Sequence, residues 1–101
     1  MSGPEHKFQR QVKSRLTEID GLWHFTKEAA SLRGIPDIIG VYRGHFFAWE
    51  LKKNAQETRR RTGRIVLQRY ILQQIRKAGG TAEFVCPENF EDKLQELLRN
   101  K

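Results

Sequence analysis

With 101 residues, 38% of them hydrophobic, the chain can bury one modest core and is too short for two domains, so residues 1–101 are expected to form a single domain. No apolar run approaches the ~20 residues that span a bilayer, no apolar leader opens the chain, and the lone Cys86 has no partner for a disulfide. Membrane insertion and export are therefore not expected, and a reducing cytoplasm is.

The net charge of +7 is concentrated. Lys52 to Lys77 holds nine basic residues against one acidic, Glu57, a local +8 that leaves the rest of the chain at −1. A positive patch on a small domain points to a polyanion, foremost nucleic acid. A solvated basic surface or an acidic protein partner is the plainer alternative.

In chain order, Glu5 to Ile19 reads as a helix, with Phe8, Val12, Leu16 and Ile19 spaced by four, four and three. Pro4 suits its first turn and Asp20-Gly21 its end. Leu22 to Thr26 is short and β-prone, and Lys27 to Gly34 reads as a loop. Asp37 to Tyr42 and His45 to Leu51 form a hairpin across the tight turn Arg43-Gly44. Lys53 to Gly63 is an exposed loop or an irregular helix start. Arg64 to Ala78 is helical, with Leu67, Tyr70 or Ile71, and Ile75 as its apolar stripe, and Gly79-Gly80 stops it. Thr81 to Cys86 is a fourth strand, and Phe90 to Arg99 a last helix with Leu94, Leu97 and Leu98 inward. The order α-β-β-β-α-β-α describes an α/β fold, a central mixed four-stranded sheet flanked by helices, because the last crossover allows a parallel neighbour.

Alternation along the third strand puts Phe46, Ala48, Glu50 and Lys52 on one face and Phe47, Trp49 and Leu51 on the other. Glu50 and Lys52 then lie roughly 7 Å apart at the backbone. Asp37, at the outer end of the paired strand, stands level with Glu50. Two converging carboxylates and an amine can hold a hard divalent cation, Mg²⁺ or Mn²⁺, and an attacking water beside a phosphodiester, and the Leu51 carbonyl offers a further hard oxygen. Taken singly, Glu-x-Lys is usually a surface ion pair and Asp after Pro a turn residue; the joint placement beside a basic segment is what is specific. His6, His24 and His45 have no metal-ligand spacing with one another or with Cys86, which argues against zinc. Trp23, Phe46, Phe47 and Trp49 read as core and sheet residues.

Gly34-Ile35-Pro36-Asp37-Ile38-Ile39-Gly40, followed by Phe47-Ala48-Trp49-Glu50-Leu51-Lys52, resembles the PD-(D/E)XK nuclease superfamily. Within it the chain is most similar to VRR-NUC domains, among them stand-alone phage forms and the module at the end of Fanconi-associated nuclease. The resemblance runs from about Glu5 to Val85. Gln68, followed by Ile71, Leu72 and the Gly79-Gly80 stop, fits the family's Gln-bearing helix.

The resemblance implies a restriction-endonuclease-like core, with Asp37 and Glu50 as metal ligands, Lys52 as catalytic lysine, Gln68 as active-site glutamine and Glu5 as the first-helix acidic residue. Glu5 also stands three residues before Phe8 on the seam that should face the sheet, either near a cation or at a first turn favoured by the helix dipole. Glu18, the competing acidic residue, falls off that seam. Lys53, Arg59, Arg60, Arg61 and Arg64 are candidates for phosphate contacts that position DNA without reading its sequence.

The implied activity is structure-selective DNA cleavage in a bacterial or phage-infected cell, on a four-way junction before flap or linear duplex DNA. A homodimer would place two sites about a two-fold axis. The alternatives are a non-catalytic nucleic-acid-binding module and sequence-specific cleavage, for which 101 residues leave little room.

Overall fold

The computed structural model describes residues 4–27 and 34–99, with side chains from His6 onward. The first helix, α1 (Pro4–Thr17), buries Phe8, Val12 and Leu16, the four-residue seam expected of it. It ends two residues earlier than the apolar spacing implied. Thr17 turns its hydroxyl back onto the Lys13 carbonyl, and the amides of Glu18 and Ile19 close tight turns onto Arg15 and Leu16.

Strands β1 (Leu22–Thr26), β2 (Ile38–Tyr42), β3 (His45–Leu51) and β4 (Thr81–Val85) lie side by side in sequence order. β1 and β2 pair antiparallel, as do β2 and β3, whereas β3 and β4 run parallel. The sheet is therefore mixed, as expected. The β2–β3 hairpin turns through Arg43 and Gly44, with φ of 48° and 86°. Two successive left-handed residues match the natural twist of paired strands.

Helix α2 (Gly63–Lys77) supplies the crossover that parallel neighbours require, and α3 (Phe90–Leu98) closes the fold. Between β3 and α2, Ala55–Arg59 forms a short 3-10 helix whose first turn is capped by Asn54, its side-chain oxygen accepting from the Glu57 amide at 3.0 Å.

Helices α1 and α3 share one face of the sheet. Phe8, Val12 and Leu16 meet Phe90, Leu94 and Leu97 there, over Ile38, Phe47, Trp49, Leu51 and Val85. The Phe90 ring stands edge-on to Phe8 and Trp49, with centroids 5.8 and 6.1 Å away. Leu98 is only partly buried. Among the described residues the other face is covered by α2, whose Leu72 packs on Ala48 of β3 and Ala82 of β4. None of the described helices is long and apolar enough to cross a membrane.

Two expectations about packing are corrected. The buried stripe of α2 is Ile65, Gln68 and Leu72; of the expected stripe, Ile71 and Ile75 are partly buried, Ile75 against Ala48, Leu72 and Ala82, while Leu67 and Tyr70 are exposed. Apolar residues occupy more than half of this helix's circumference, so spacing alone does not choose the inward arc; the arc that turns inward is the one that carries Gln68 to Glu50. Trp23 and Phe46 are exposed as well, although Phe47 and Trp49 are fully buried. Both exposed aromatics project on the α2 face, Trp23 on β1 beyond the strands that Leu72 reaches and Phe46 near the start of β3.

Candidate active site

The pairing register builds the site. Thr26 stands opposite Ile38, and Ile38 opposite Trp49. One step further along the strands, Lys27, Asp37 and Glu50 come abreast. The ladder extends to this row: the Lys27 amide donates to the Asp37 carbonyl at 2.8 Å. Glu50 is opposite Phe84 of β4. Strand alternation turns Lys27 and Glu50 toward α2.

Each side chain in this row is held. Asp37 Oδ2 accepts the Leu51 amide at 2.9 Å, which fixes its carboxylate across the end of β3. The Lys27 ammonium donates to the Ile35 carbonyl at 2.9 Å and so braces the turn that carries Asp37. Glu50 is only 4% exposed, and its Oε2 accepts from Gln68 Nε2 at 2.9 Å. Gln68, itself buried, is the residue through which α2 reaches the site.

Two acceptors are left over. Glu50 Oε1 and Gln68 Oε1 are buried without a hydrogen-bond partner. Buried acceptors of this kind need a donor or a cation. Burial first, then the charge of the adjacent Asp37 carboxylate, push Glu50 up to about 8; Lys52 and Lys27 pull the other way. Glu50 thus takes up positive charge readily, as a proton or as a metal ion, and its open oxygen facing the Asp37 carboxylate fits a divalent cation of the Mg²⁺ type.

Lys52, just past the end of β3, is 6% exposed. Its amide donates to the Val85 carbonyl, and its ammonium lies 5.9 Å from the centre of the Phe84 ring. It is a buried, guided cation on the side of the site away from Lys27. Of Leu51, the amide is engaged with Asp37. Glu5 falls in the first turn of α1, and its side chain lies outside the described residues. Among the described residues no three His, Cys, Asp or Glu come together, so Asp37 and Glu50 are the acidic pair of the site. Cys86 is buried, and burial pushes its thiol up, which fits a packing role.

The basic segment follows directly on Lys52. Arg59, Arg60, Arg61, Arg64 and Lys53 are all exposed. Their backbone is anchored from two sides: the Ala55 amide donates to Glu88, and the Arg69 guanidinium donates to the Thr58 carbonyl at 2.8 Å and the Arg60 carbonyl at 3.4 Å. Arg69 is therefore a strut, with its guanidinium also over the Phe84 ring. Lys53 and Arg60 reach Glu57 only at 3.8 and 4.0 Å, contacts too long to fix their positions.

Lys27 is the site residue that sequence reasoning passed over, because the segment from Lys27 to Gly34 read as a loop. The signal was present: continuing the alternation of β1 from Phe25 puts position 27 on the face of Glu50. Residues 28–33 of that segment lie outside the described residues.

The α/β core is a four-stranded mixed sheet with a carboxylate pair at one strand end and a lysine beside it. No family model matches the sequence, and no curated protein matches it. A solved structure titled "VRR_NUC domain" superposes on it with a TM-score of 0.71, covering 94% of this chain and 97% of that one at 23% identity. The chain has the fold of that VRR_NUC domain over nearly its whole length.

Proposed function

We propose that the protein is a metal-dependent, structure-selective DNA endonuclease that hydrolyses phosphodiester bonds as a single-domain homodimer, with a four-way junction as its preferred substrate. The observation that carries the reading is the buried Glu50 oxygen without a partner, held beside Asp37 and within reach of two lysines.

Asp37 and Glu50 would hold Mg²⁺ or Mn²⁺, with the Leu51 carbonyl as a further oxygen and Glu5 as a candidate from α1. A bound divalent cation would neutralise the facing carboxylates, polarise a phosphoryl oxygen and acidify a coordinated water. The remaining work falls to the chain's own groups. Gln68 holds Glu50 in one orientation, so that its free oxygen points into the site. Lys52 offers a fixed ammonium where negative charge builds on the phosphate. Lys27 steadies the Asp37 turn and adds positive charge to the row. Lys53, Arg59, Arg60, Arg61 and Arg64 neutralise phosphates on either side of the bond to be cut and orient the backbone without reading bases. The likeness to a VRR_NUC domain supports a nuclease. Substrate and working compartment, the cytoplasm of a bacterial or phage-infected cell, are inferences from charge and family resemblance.

The test is cleavage of a labelled four-way junction beside flap and linear duplex controls, in Mg²⁺, Mn²⁺ or EDTA. Paired nicks on the junction that disappear in EDTA are expected, with Glu50→Ala and Lys52→Ala each lowering the rate by at least ~10²-fold. Binding to every substrate with no cleavage in either metal would leave a nucleic-acid-binding module and overturn the catalytic reading.

A further inference from the structure

The row that carries the site has a fourth member. Lys27, Asp37 and Glu50 come abreast, and in the parallel register of β3 and β4 Glu50 stands opposite Phe84. Residues opposite one another point to the same side of a sheet, so Phe84 joins Glu50 on the α2 face, where it packs with Ala48, Leu72 and Ala82. Its backbone is mounted on the turn that follows. Asn89 donates through its side-chain amide to the Phe84 carbonyl at 3.3 Å, while Asn89 Oδ1 accepts the Cys86 amide at 2.9 Å.

Two cations converge on this ring. The Lys52 ammonium lies 5.9 Å from its centre and the Arg69 guanidinium carbon 5.7 Å. Both fall within the ~6 Å over which the face of an aromatic ring attracts a cation. The two are held differently. Arg69 is tied to the Thr58 and Arg60 carbonyls and is a fixed neighbour of the ring. Lys52 carries its ammonium on a flexible stem, and among the described residues that ammonium makes no ion pair and no hydrogen bond, although the residue is buried.

We infer that Phe84 is the positioning residue of Lys52: the face of its ring holds the ammonium beside Glu50. The inference rests on the nuclease reading for the reaction that Lys52 serves; the contact itself rests on geometry. Without the ring, a buried ammonium that lacks hydrogen bonds would turn its flexible stem toward water. With it, the charge stands in place before a phosphate arrives, and its ordering is complete when negative charge builds there. A ring also suits the task better than a carboxylate would. It attracts the cation but carries no net charge, so the full positive charge of Lys52 stays available to the phosphate. Through Arg69 the same ring adjoins the segment of Arg59, Arg60 and Arg61, which gives the reacting centre and the phosphate contacts one common mount.

The plainer role of Phe84 is packing against Leu72 and Ala82, which another apolar side chain also supplies. Two substitutions separate the roles. Phe84→Leu keeps an apolar side chain and removes the ring face; Phe84→Tyr keeps the face. The first readout needs neither metal nor DNA. Ring current shifts protons above an aromatic face upfield, so NMR spectra of the full chain in EDTA should show the Lys52 ε-methylene signals upfield of those of other lysines. Their loss in Lys52→Ala assigns them. They are expected to move to the ordinary lysine position in Phe84→Leu and to stay upfield in Phe84→Tyr, with circular dichroism unchanged in both.

The second readout is steady-state cleavage of the four-way junction in Mg²⁺. Phe84→Leu is expected to lower kcat about 10-fold with KM changed less than about 2-fold, and Phe84→Tyr to restore the rate. In a Lys52→Ala background Phe84→Leu should cost less than about 2-fold more, because the ring acts only through the lysine. Methylene signals that ignore the loss of the ring, a rate loss that tyrosine does not restore, or losses that multiply in the double variant each overturn the inference. Signals that follow the ring in a protein that cuts no DNA in either metal keep its hold on Lys52 and remove the nuclease reading. Cleavage by a protein whose signals ignore the ring does the reverse.

Discussion

At Glu50 the chain keeps a carboxyl group in a place where only a partner makes it tolerable. One oxygen is tied to Gln68, the other is buried and unpaired, and Asp37 faces it. The cost has a definite pH dependence. In the unfolded chain this carboxyl ionises near 4.5, in the fold at about 8. Between those values the unfolded state has released a proton that the fold retains, so raising the pH favours unfolding. Below 4.5 both states are protonated and the contribution vanishes; above about 8 the whole penalty is present. Metal-free protein in EDTA should therefore melt at progressively lower temperature, relative to a Glu50→Gln variant, as pH rises across that window. The amide oxygen introduced by that substitution can still accept the Gln68 bond, so the comparison isolates the charge. Mg²⁺ should restore more stability at the alkaline end than at the acidic end in wild type, and little in the variant. Parallel melting curves for the two proteins across the window would mean that the Glu50 carboxyl is not buried against Asp37 in solution.

Among the elements, β2 carries the most demanding backbone position. Gly40 lies where an added Cβ would come within 2.3 Å of the Trp23 carbonyl on β1 and 2.7 Å of the Phe47 ring on β3. Both neighbours are fixed, one as backbone in the ladder and one as a fully buried ring. Gly40→Ala should accordingly destabilise the fold by about 2 kcal/mol or more, with the β1–β2 ladder pushed apart. Urea denaturation reads this directly; a loss below about 0.5 kcal/mol would show that the strands separate at little cost. The same strands show how far the sequence was legible. Period-two alternation and the Arg43-Gly44 turn specify the hairpin, and the hairpin register brings Asp37 level with Glu50, so the acidic pair follows from local pattern alone. Helix α2 did not yield in the same way. Its apolar residues surround much of its circumference, and the arc it buries is fixed by tertiary contacts, Leu72 on Ala48 and Ala82 and Gln68 on Glu50, that no spacing displays. Lys27 was hidden for a related reason: it belongs to the β1–β2 ladder through a single bond to Asp37, past the end of the β-prone run. The open β1–β2 half was equally out of reach, because exposure of Trp23 and Phe46 depends on how far α2 extends across the sheet.

For the whole molecule, the +8 concentrated between Lys52 and Lys77 determines how it meets a polyanion. Not all of that charge is available. Arg69 is committed to the Thr58 and Arg60 carbonyls, Arg76 to the Ala82 carbonyl, and Lys52 is buried over Phe84. What remains exposed next to the site is Lys53, Arg59, Arg60, Arg61 and Arg64, on a segment whose backbone is anchored while its side chains are not. Five cations on phosphates would give a fall of log affinity with log salt of slope roughly −4.5 on duplex arms. Removing Arg59, Arg60 and Arg61 together should make the slope shallower by roughly three and weaken binding to all duplex sequences alike, because phosphate contacts carry no base information. Fluorescence anisotropy in EDTA measures this with cleavage silenced, on a junction and on two unrelated duplexes. If the triple alanine variant kept the wild-type slope, the arginines would not be touching phosphate, and the footprint would have to move elsewhere on the chain. If it lost affinity for one sequence and not another, these side chains would be reading base edges. The anchored backbone favours the uniform loss: Arg69 holds the carbonyls on both sides of Arg59, which keeps the segment at a constant distance from the carboxylate pair and leaves the side chains free to follow whatever phosphates the DNA presents.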